Sequence, residues 1–204
     1  MLRTLIFVDF WNFQLNWNAR NPHIWCDWQS IPKLFCSEVK SVFNSFAQDI
    51  DLSFEGIRIY ASINPDKLPD TKLRNWFSNS LNNQSGFSVF IKERHSKKKS
   101  IVCDYCKHEV INCPSCKRPY HRASEKGVDS AIITDMFALY IDGVYNIAVI
   151  VSADSDMIPM VKYLQNHNVK VINASWKGHG YDLRQSCWAS FEIDKIANQL
   201  ILNK

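Results

Sequence analysis

The clearest signal in the chain is the sequence IAVIVSADSD at residues 147–156. Its first half, Ile147–Val151, is entirely apolar and rich in β-branched side chains, which predicts a strand buried on both faces. Two acids follow, Asp154 and Asp156, and then an apolar spacing that predicts a helix over 157–168. Because open α/β sheets place their active sites at the carboxyl ends of parallel strands, we expect a functional site here. The alternative is that the two acids only cap the next helix.

A second predicted strand ends in the same way. Leu2–Val8 (LRTLIFV) is mostly apolar and is followed by Asp9, and Asn12 comes three residues later. Buried strands that bring carboxylates to one sheet edge are costly unless the charges are compensated, and a shared divalent cation would compensate them. Asn12 would then hold the Asp9 carboxylate or a phosphate, although it also suits an ordinary turn.

Strand and helix patterns alternate along the chain. This alternation predicts an α/β fold with a parallel sheet and helices on both faces. We expect further strands at 54–63, 87–91 and 169–173, and helices at 31–46, 67–82, 126–142 and 192–202, with a short helix or turn at 182–189. The segment 16–29 is predicted to be a polar connection whose tryptophans either stack on nucleic-acid bases or cover the sheet edge.

The predicted helix at 126–142 carries two acids. Asp129 lies near its start and is our first choice as a third carboxylate of the site. Asp135 falls close to the apolar face, where an unpaired acid is unexpected. It would either support the site or contact the substrate, or else form a structural hydrogen bond.

Residues 95–124 show neither the helical nor the strand spacing of apolar residues, and the segment is too short for a core of its own. We interpret them as an insertion within a single domain over residues 1–204. The insertion contains Cys103, Cys106, Cys113 and Cys116 as two Cys-x-x-Cys pairs, which indicates a structural Zn²⁺ site of the zinc-ribbon type. His108 or His121 replacing one thiolate is the alternative. Such a site would supply folding energy to a segment without a core.

The charge is unevenly distributed. The net charge is +4, but residues 92–126 contain ten Lys or Arg against four Asp or Glu, so this segment carries +6 and the remainder −2. A basic arm on a mildly acidic body suggests a polyanionic partner such as RNA. Lys117, Arg118 and Arg122 are the candidate phosphate contacts, although lysine runs are often only solvated loops.

The length and composition suit a folded protein, since the chain has 204 residues, of which 46% are hydrophobic and 22% are charged. No apolar run approaches the roughly 20 residues that span a membrane. The N-terminus has no secretory pattern, and paired cysteines suit metal binding in a reducing compartment. We therefore expect a cytoplasmic protein.

Three motifs together resemble the NYN domain, and in particular the LabA-like branch of the PIN-like nuclease superfamily. They are FVDFWN at 7–12, KGVDSAIITDM at 126–136 and VIVSADSDMIPMV at 149–161. The resemblance implies a PIN-like fold and a metal-dependent ribonuclease. Ala153 stands where the family pattern has Gly, and Met157 where it has Phe, but no carboxylate is lost.

Carried over by position, the resemblance assigns the catalytic acids and their neighbours. Asp9, Asp129 and Asp154 would bind one or two Mg²⁺ or Mn²⁺ ions, with Asp156 and Asp135 in support. Four side chains would lie near the substrate, namely Trp11, Asn12, Lys126 and Ser152. The expected reaction is hydrolysis of phosphodiester bonds in single-stranded or loop RNA. The alternatives are an RNA-binding module without activity, and a homodimer or protein-partner contact through the zinc element.

Overall fold

The central feature of the fold is a sheet of six parallel strands. The computed structural model describes residues 1–94, 96–98, 100–123 and 127–202, and for 96–98 and 121–123 it describes the backbone alone. The strands of the sheet are β1 (Leu2–Asp9), β2 (Leu52–Ile63), β3 (Phe87–Glu93), β8 (Ile147–Val151), β9 (Lys170–Ser175) and β10 (Ala189–Glu192).

The strand order is β10-β9-β8-β1-β2-β3, and every neighbouring pair is parallel. The chain therefore winds outward from β1 in one direction and returns to continue from β8 in the other. In this arrangement the order reverses between β1 and β8, which is where doubly wound sheets open a crevice at the carboxyl ends of their strands. Val8 pairs with Val151, so Asp9 and the turn after β8 emerge side by side.

Helices cover both faces of the sheet, as the alternating pattern predicts. They are α1 (Phe10–Arg20), α2 (Ile31–Ser45), α3 (Leu68–Trp76), α4 (Val128–Ile141), α5 (Ile158–Asn166) and α6 (Tyr181–Ser186). One core lies under α1 and α2 and the other under α4, α5 and α6. Strand β1 contributes alternate residues to each, with Ile6 and Val8 in the first core and Leu5 and Phe7 in the second.

Two sequence predictions were wrong. The first concerns the predicted polar connection at 16–29, because its first five residues belong to helix α1, whose buried side chains Phe10, Phe13 and Trp17 recur at helical spacing. The polar residues between them only form its outer face. The C-terminal segment is not an amphipathic helix, because β10 extends the sheet first and short 3-10 turns at Ile193–Lys195 and Ala197–Leu200 follow.

The segment 96–123 contains two small pairs of strands that are separate from the central sheet. Strand β4 (Ser96–Lys98) pairs with β7 (His121–Ala123), and β5 (Ile101–Val102) pairs with β6 (Glu109–Val110), both antiparallel. We call this segment the arm. In the sequence it lies between β3 and α4. None of the helices in the described residues has the length and apolar character to span a bilayer.

Candidate active site

The three acids that we selected as metal ligands line one pocket. Its volume is about 380 Å³, and it opens at the carboxyl ends of β1 and β8. Three groups of residues line it, the acids Asp9, Asp129 and Asp154, the amides Asn12 and Asn16, and the apolar Trp11, Leu15 and Val128. The acids come from three separate parts of the sequence, so it is the parallel topology that brings them together. We call this the acidic pocket.

Each acid has a defined local origin. Asp9 ends β1 and caps α1, where one of its oxygens accepts the Asn12 backbone N–H at 3.1 Å. Asp154 plays the same part after β8, with one oxygen accepting the Asp156 N–H at 2.8 Å. Asp129 lies in the first turn of α4. The capping alternative is therefore correct for Asp154 as local geometry, yet the same carboxylate also faces the pocket.

Ser152 has a different place from the one predicted. Its side chain is buried, and its hydroxyl accepts the Asp154 backbone N–H at 3.1 Å. Its carbonyl oxygen accepts a hydrogen bond from the buried Asn173 side chain at 3.0 Å. Ser152 thus shapes the turn that carries Asp154, and we no longer place it against the substrate.

The donor set suits a hard dication. Carboxylates with amide oxygens beside them are the ligands that Mg²⁺ and Mn²⁺ prefer. Within the described part of the chain, however, no three His, Cys, Asp or Glu side chains already form a group that could hold an ion. Because Mg²⁺ keeps several waters and needs only one or two direct carboxylates, this open arrangement still fits such a metal.

Trp11 forms a fixed wall of the acidic pocket. Its indole N–H donates to the Ser62 carbonyl oxygen at 2.6 Å, and the Arg94 guanidinium lies 5.2 Å from its ring centroid. Arg94 is itself held by the buried Asp70 at 3.2 Å. In the sequence, Arg94 lies two residues before the arm.

Asp135 and Asp156 are outside the set of residues that line the pocket. Arg58 and Tyr60 each lie 2.7 Å from Asp135 Oδ2. Burial and the hydrogen bond to Asp135 raise the pKa of Tyr60, so the phenol stays protonated and donates. These contacts favour a structural role for Asp135, and we no longer count this residue among the catalytic acids. Asp156 has an exposed side chain beside the pocket and donates its backbone N–H to Asp154.

The two Cys-x-x-Cys motifs fold into matching knuckles. In each, the first Cys N–H donates to the carbonyl oxygen five residues on, and the residue four positions on returns a bond to the Cys carbonyl. Lys107 and Lys117, at that fourth position, both adopt positive φ, 57° and 60°. The backbone N–H groups of Cys116 and Ser115 lower the pKa of Cys113 to about 7, and equivalent contacts lower that of Cys103.

These knuckles suit thiolate ligation, because N–H donors stabilise the charged sulfur that binds zinc. The structure shows two thiol pairs, Cys103 with Cys106 and Cys113 with Cys116. As in the acidic pocket, the described residues of the arm contain no group of three metal-binding side chains. Joining the pairs into one four-sulfur site therefore stays a prediction.

The structure describes some of the other predicted substrate contacts. Lys117 and Arg118 are exposed on the second knuckle. Lys126 and the side chain of Arg122 lie outside the described residues. Leu15 and Asn16 line the pocket but escaped sequence analysis, since helix α1 was not predicted. The spacing of Phe10, Phe13 and Trp17 is the signal that would have found them.

Comparisons with known proteins agree with this fold. The family model of the NYN domain matches residues 3–194. A crystal structure of a protein of unknown function from Vibrio parahaemolyticus is similar over 98% of this chain and 96% of that one, with a TM-score of 0.53 and 16% identity. At that identity the likeness concerns the fold alone. No curated protein gives a significant match.

Proposed function

The chain belongs to the NYN domain family within the PIN-like nucleases, and from this premise we propose that it is a metal-dependent endoribonuclease. The observation that carries the proposal is the acidic pocket, where Asp9, Asp129 and Asp154 converge at the switch point of the sheet. Membership of the LabA-like branch is part of the same proposal.

The three carboxylates would hold Mg²⁺ or Mn²⁺, with Asn12 beside them. When bound, such a metal lowers the pKa of a coordinated water and neutralises charge on a phosphate. The chain's own contribution is to fix the carboxylates. The Asn12 backbone N–H donates to one oxygen of Asp9, and the Asp156 backbone N–H donates to one oxygen of Asp154. Both side chains are therefore oriented before a metal binds.

The shape of the pocket favours an unpaired RNA strand. One wall is acidic, while Trp11, Leu15 and Val128 form an apolar wall. Trp11 offers a π surface on which a base can stack, a contact worth about 1–3 kcal/mol per base. Leu15 is 59% exposed, so this apolar wall is open to a ligand. A base in a duplex is already stacked and does not present its face in this way.

The arm would supply a second, less specific grip. Its exposed Lys117 and Arg118 suit phosphate contacts, and Tyr105 is 97% exposed. We propose that one Zn²⁺, held by Cys103, Cys106, Cys113 and Cys116, orders the arm. A four-sulfur shell has no open position, so this zinc would be structural.

The test is cleavage of a fluorescently labelled, unstructured RNA. The expected result is Mn²⁺-dependent cleavage that EDTA abolishes and that Asp154→Asn lowers by at least about 100-fold, as expected for loss of a ligand to the catalytic metal. Asp142→Asn is the matched control, because Asp142 is an exposed acid at the opposite end of the helix that carries Asp129.

Two outcomes would contradict the proposal. Cleavage that survives Asp154→Asn would come from a contaminating nuclease. RNA binding without cleavage, unchanged in Asp154→Asn, would instead support a binding module that keeps the fold without its chemistry. The open arrangement of the carboxylates is the observation that makes this second candidate worth testing.

A further inference from the structure

A loop from a distant part of the sequence abuts the turn that carries Asp154. Residues 176–180, which we call the rim loop, follow β9 and end at Gly180. A Cβ built on Gly180 would lie 2.8 Å from the Ala153 Cα and 3.0 Å from its Cβ. Ala153 directly precedes Asp154, so the rim loop contacts the backbone of the acidic pocket.

The other end of the rim loop is fastened to helix α1. The Lys177 backbone N–H donates to Asp194 Oδ2 at 2.6 Å, and Asp194 Oδ1 accepts from Arg20 Nε at 2.8 Å. Arg20 also donates to the Lys177 carbonyl oxygen at 3.0 Å, and its guanidinium lies 4.8 Å from the Trp176 ring centroid. We call this set of contacts the clasp.

The rim loop therefore contacts two parts of the chain that adjoin pocket acids, namely helix α1 and the turn after β8. Arg20 is the last residue of α1, the helix that begins immediately after Asp9. Gly180 touches the residue immediately before Asp154. Helix α1 is rigid between its ends, since Phe13 and Trp17 anchor it in the core. Pairing of β1 with β8 sets the spacing of the two strand ends, so the clasp and the Gly180 contact act on the turn after β8, which carries Asp154.

We propose that Gly180 is a positioning residue for Asp154, and that the rim loop acts as a strut that sets the width of the acidic pocket. This inference rests on the proposed metal site. A side chain at position 180 cannot be accommodated by moving a flexible tip, because the atoms it meets are the backbone and Cβ of Ala153. The turn at 152–154 would have to shift, and Asp154 would shift with it.

The rim loop offers a matched control for this proposal. Gly178 and Gly180 both have positive φ, +80° and +63°, so an alanine at either position meets a similar backbone penalty. A Cβ on Gly178 has no described atom within 4 Å, whereas one on Gly180 meets Ala153. A difference between the two variants therefore reports the contact and not the conformation.

The experiment measures Mn²⁺ binding without RNA, by electron paramagnetic resonance of the free ion. Wild type, Gly178→Ala and Gly180→Ala are compared at a temperature where circular dichroism shows each to be folded. We expect Gly178→Ala to bind as wild type does, and Gly180→Ala to bind about tenfold more weakly or worse, as is typical when the support of a metal ligand is lost. Adding Ala153→Gly to Gly180→Ala should recover part of the loss.

Each outcome has a distinct meaning. If wild type does not bind Mn²⁺, the proposed metal site itself fails. If wild type binds and the two glycine variants bind equally, the metal site stands and the strut is wrong. If Gly180→Ala does not fold, Asp194→Asn decides, because it loosens only the clasp. Several-fold weaker Mn²⁺ binding in that variant supports the strut, and unchanged binding overturns it.

Discussion

Arg58 Nη1 lies 2.7 Å from Asp135 Oδ2, and this ion pair accounts for an acid close to the buried face of helix α4. The Tyr60 hydroxyl donates to the same oxygen at 2.7 Å. The Phe90 ring packs against both Tyr60 and Arg58. Its centroid lies 5.0 Å from the Tyr60 ring centroid and 5.0 Å from the Arg58 guanidinium carbon. Asp135 therefore joins α4 to β2 and β3, away from the acidic pocket.

We predict that Asp135→Asn lowers stability without weakening Mn²⁺ binding. Loss of the charged hydrogen bonds should lower the free energy of unfolding by about 1–2 kcal/mol, since both side chains of the pair are about a quarter exposed and water screens them partly. Urea denaturation and Mn²⁺ titration of the same sample check both parts. Weaker Mn²⁺ binding, comparable to that of Asp154→Asn, would return Asp135 to the catalytic set.

A second prediction concerns the wall of the acidic pocket. Arg94→Met keeps an unbranched apolar stem but removes the cation–π contact with Trp11 and the ion pair with Asp70. We expect affinity for single-stranded RNA to fall about two- to fivefold, which corresponds to a contact of about 0.5–1 kcal/mol. Fluorescence anisotropy measures the affinity, and Mn²⁺ binding should not change.

The control for Arg94 is Arg74→Met. Arg74 pairs with Glu93 at 2.8 Å, but both side chains are more than 40% exposed, so the loss should be close to neutral. Equal RNA affinity of the two variants would show that Arg94 does not act through Trp11.

A third prediction concerns the knuckles. The purified protein should contain about one Zn²⁺ per chain, as a four-thiolate site requires, and either Cys103→Ser or Cys113→Ser should remove it. Cys187→Ser is the matched control, since burial raises the pKa of that thiol to about 12 and keeps it protonated. Elemental analysis gives the ratio, and zinc that survives both Cys103→Ser and Cys113→Ser would refute the joint site.

Chelation of the zinc should leave the main domain folded. Among the described residues, the strands of the arm pair with one another, in sheets separate from the central one. The thermal transition of the core should therefore persist after zinc removal, as followed by far-ultraviolet circular dichroism. Collapse of that transition would mean that the arm supports the core.

The sequence predicted the sheet and the pocket acids better than it predicted the walls of the pocket. Ile147–Val151 is uniformly apolar and therefore predicts a buried strand, and the structure confirms both its burial and its bounds. Helix α1 was missed because five of its eleven residues are polar or charged, although its buried positions have helical spacing. Leu15 and Asn16 were lost with it.

Other features depend on contacts that no local pattern encodes. Asp135 looks catalytic until Arg58, which lies 77 residues earlier, is seen to reach it. The contact of Gly180 with Ala153 is equally non-local. Strand β10 was not predicted because its four residues are too few to establish a period, and only pairing with β9 defines them as a strand.

A fourth prediction separates the arm from the pocket. Lys117→Glu combined with Arg118→Glu should weaken RNA binding most at low salt and reduce the salt slope of log K by about two, one for each lost phosphate contact. Anisotropy titrations from 50 to 200 mM KCl measure this slope. If the slope does not change, the arm does not contact RNA and its role as a protein-binding surface is favoured.

The last prediction concerns pH and the clasp. Burial alone would raise the pKa of Asp194, but the Lys177 backbone N–H and the Arg20 guanidinium outweigh burial and hold the pKa below its ordinary value of 3.8. A lowered folded-state pKa means that the clasp stabilises the protein above pH 3.8 and that this contribution is lost as pH falls through the folded-state value. At pH 7, Asp194→Asn should therefore lower the free energy of unfolding by about 1 kcal/mol, since the pair is partly exposed.

The same comparison at lower pH provides the critical measurement. The difference between wild type and Asp194→Asn should shrink below pH 4, because protonation removes the charge that the substitution removes at pH 7. Asp182→Asn, an exposed acid on α6, should show no such pH-dependent difference. A difference for Asp194→Asn that stays constant from pH 7 to pH 3 would show that the clasp depends on shape and not on charge, and the strut would then have to be explained by packing alone.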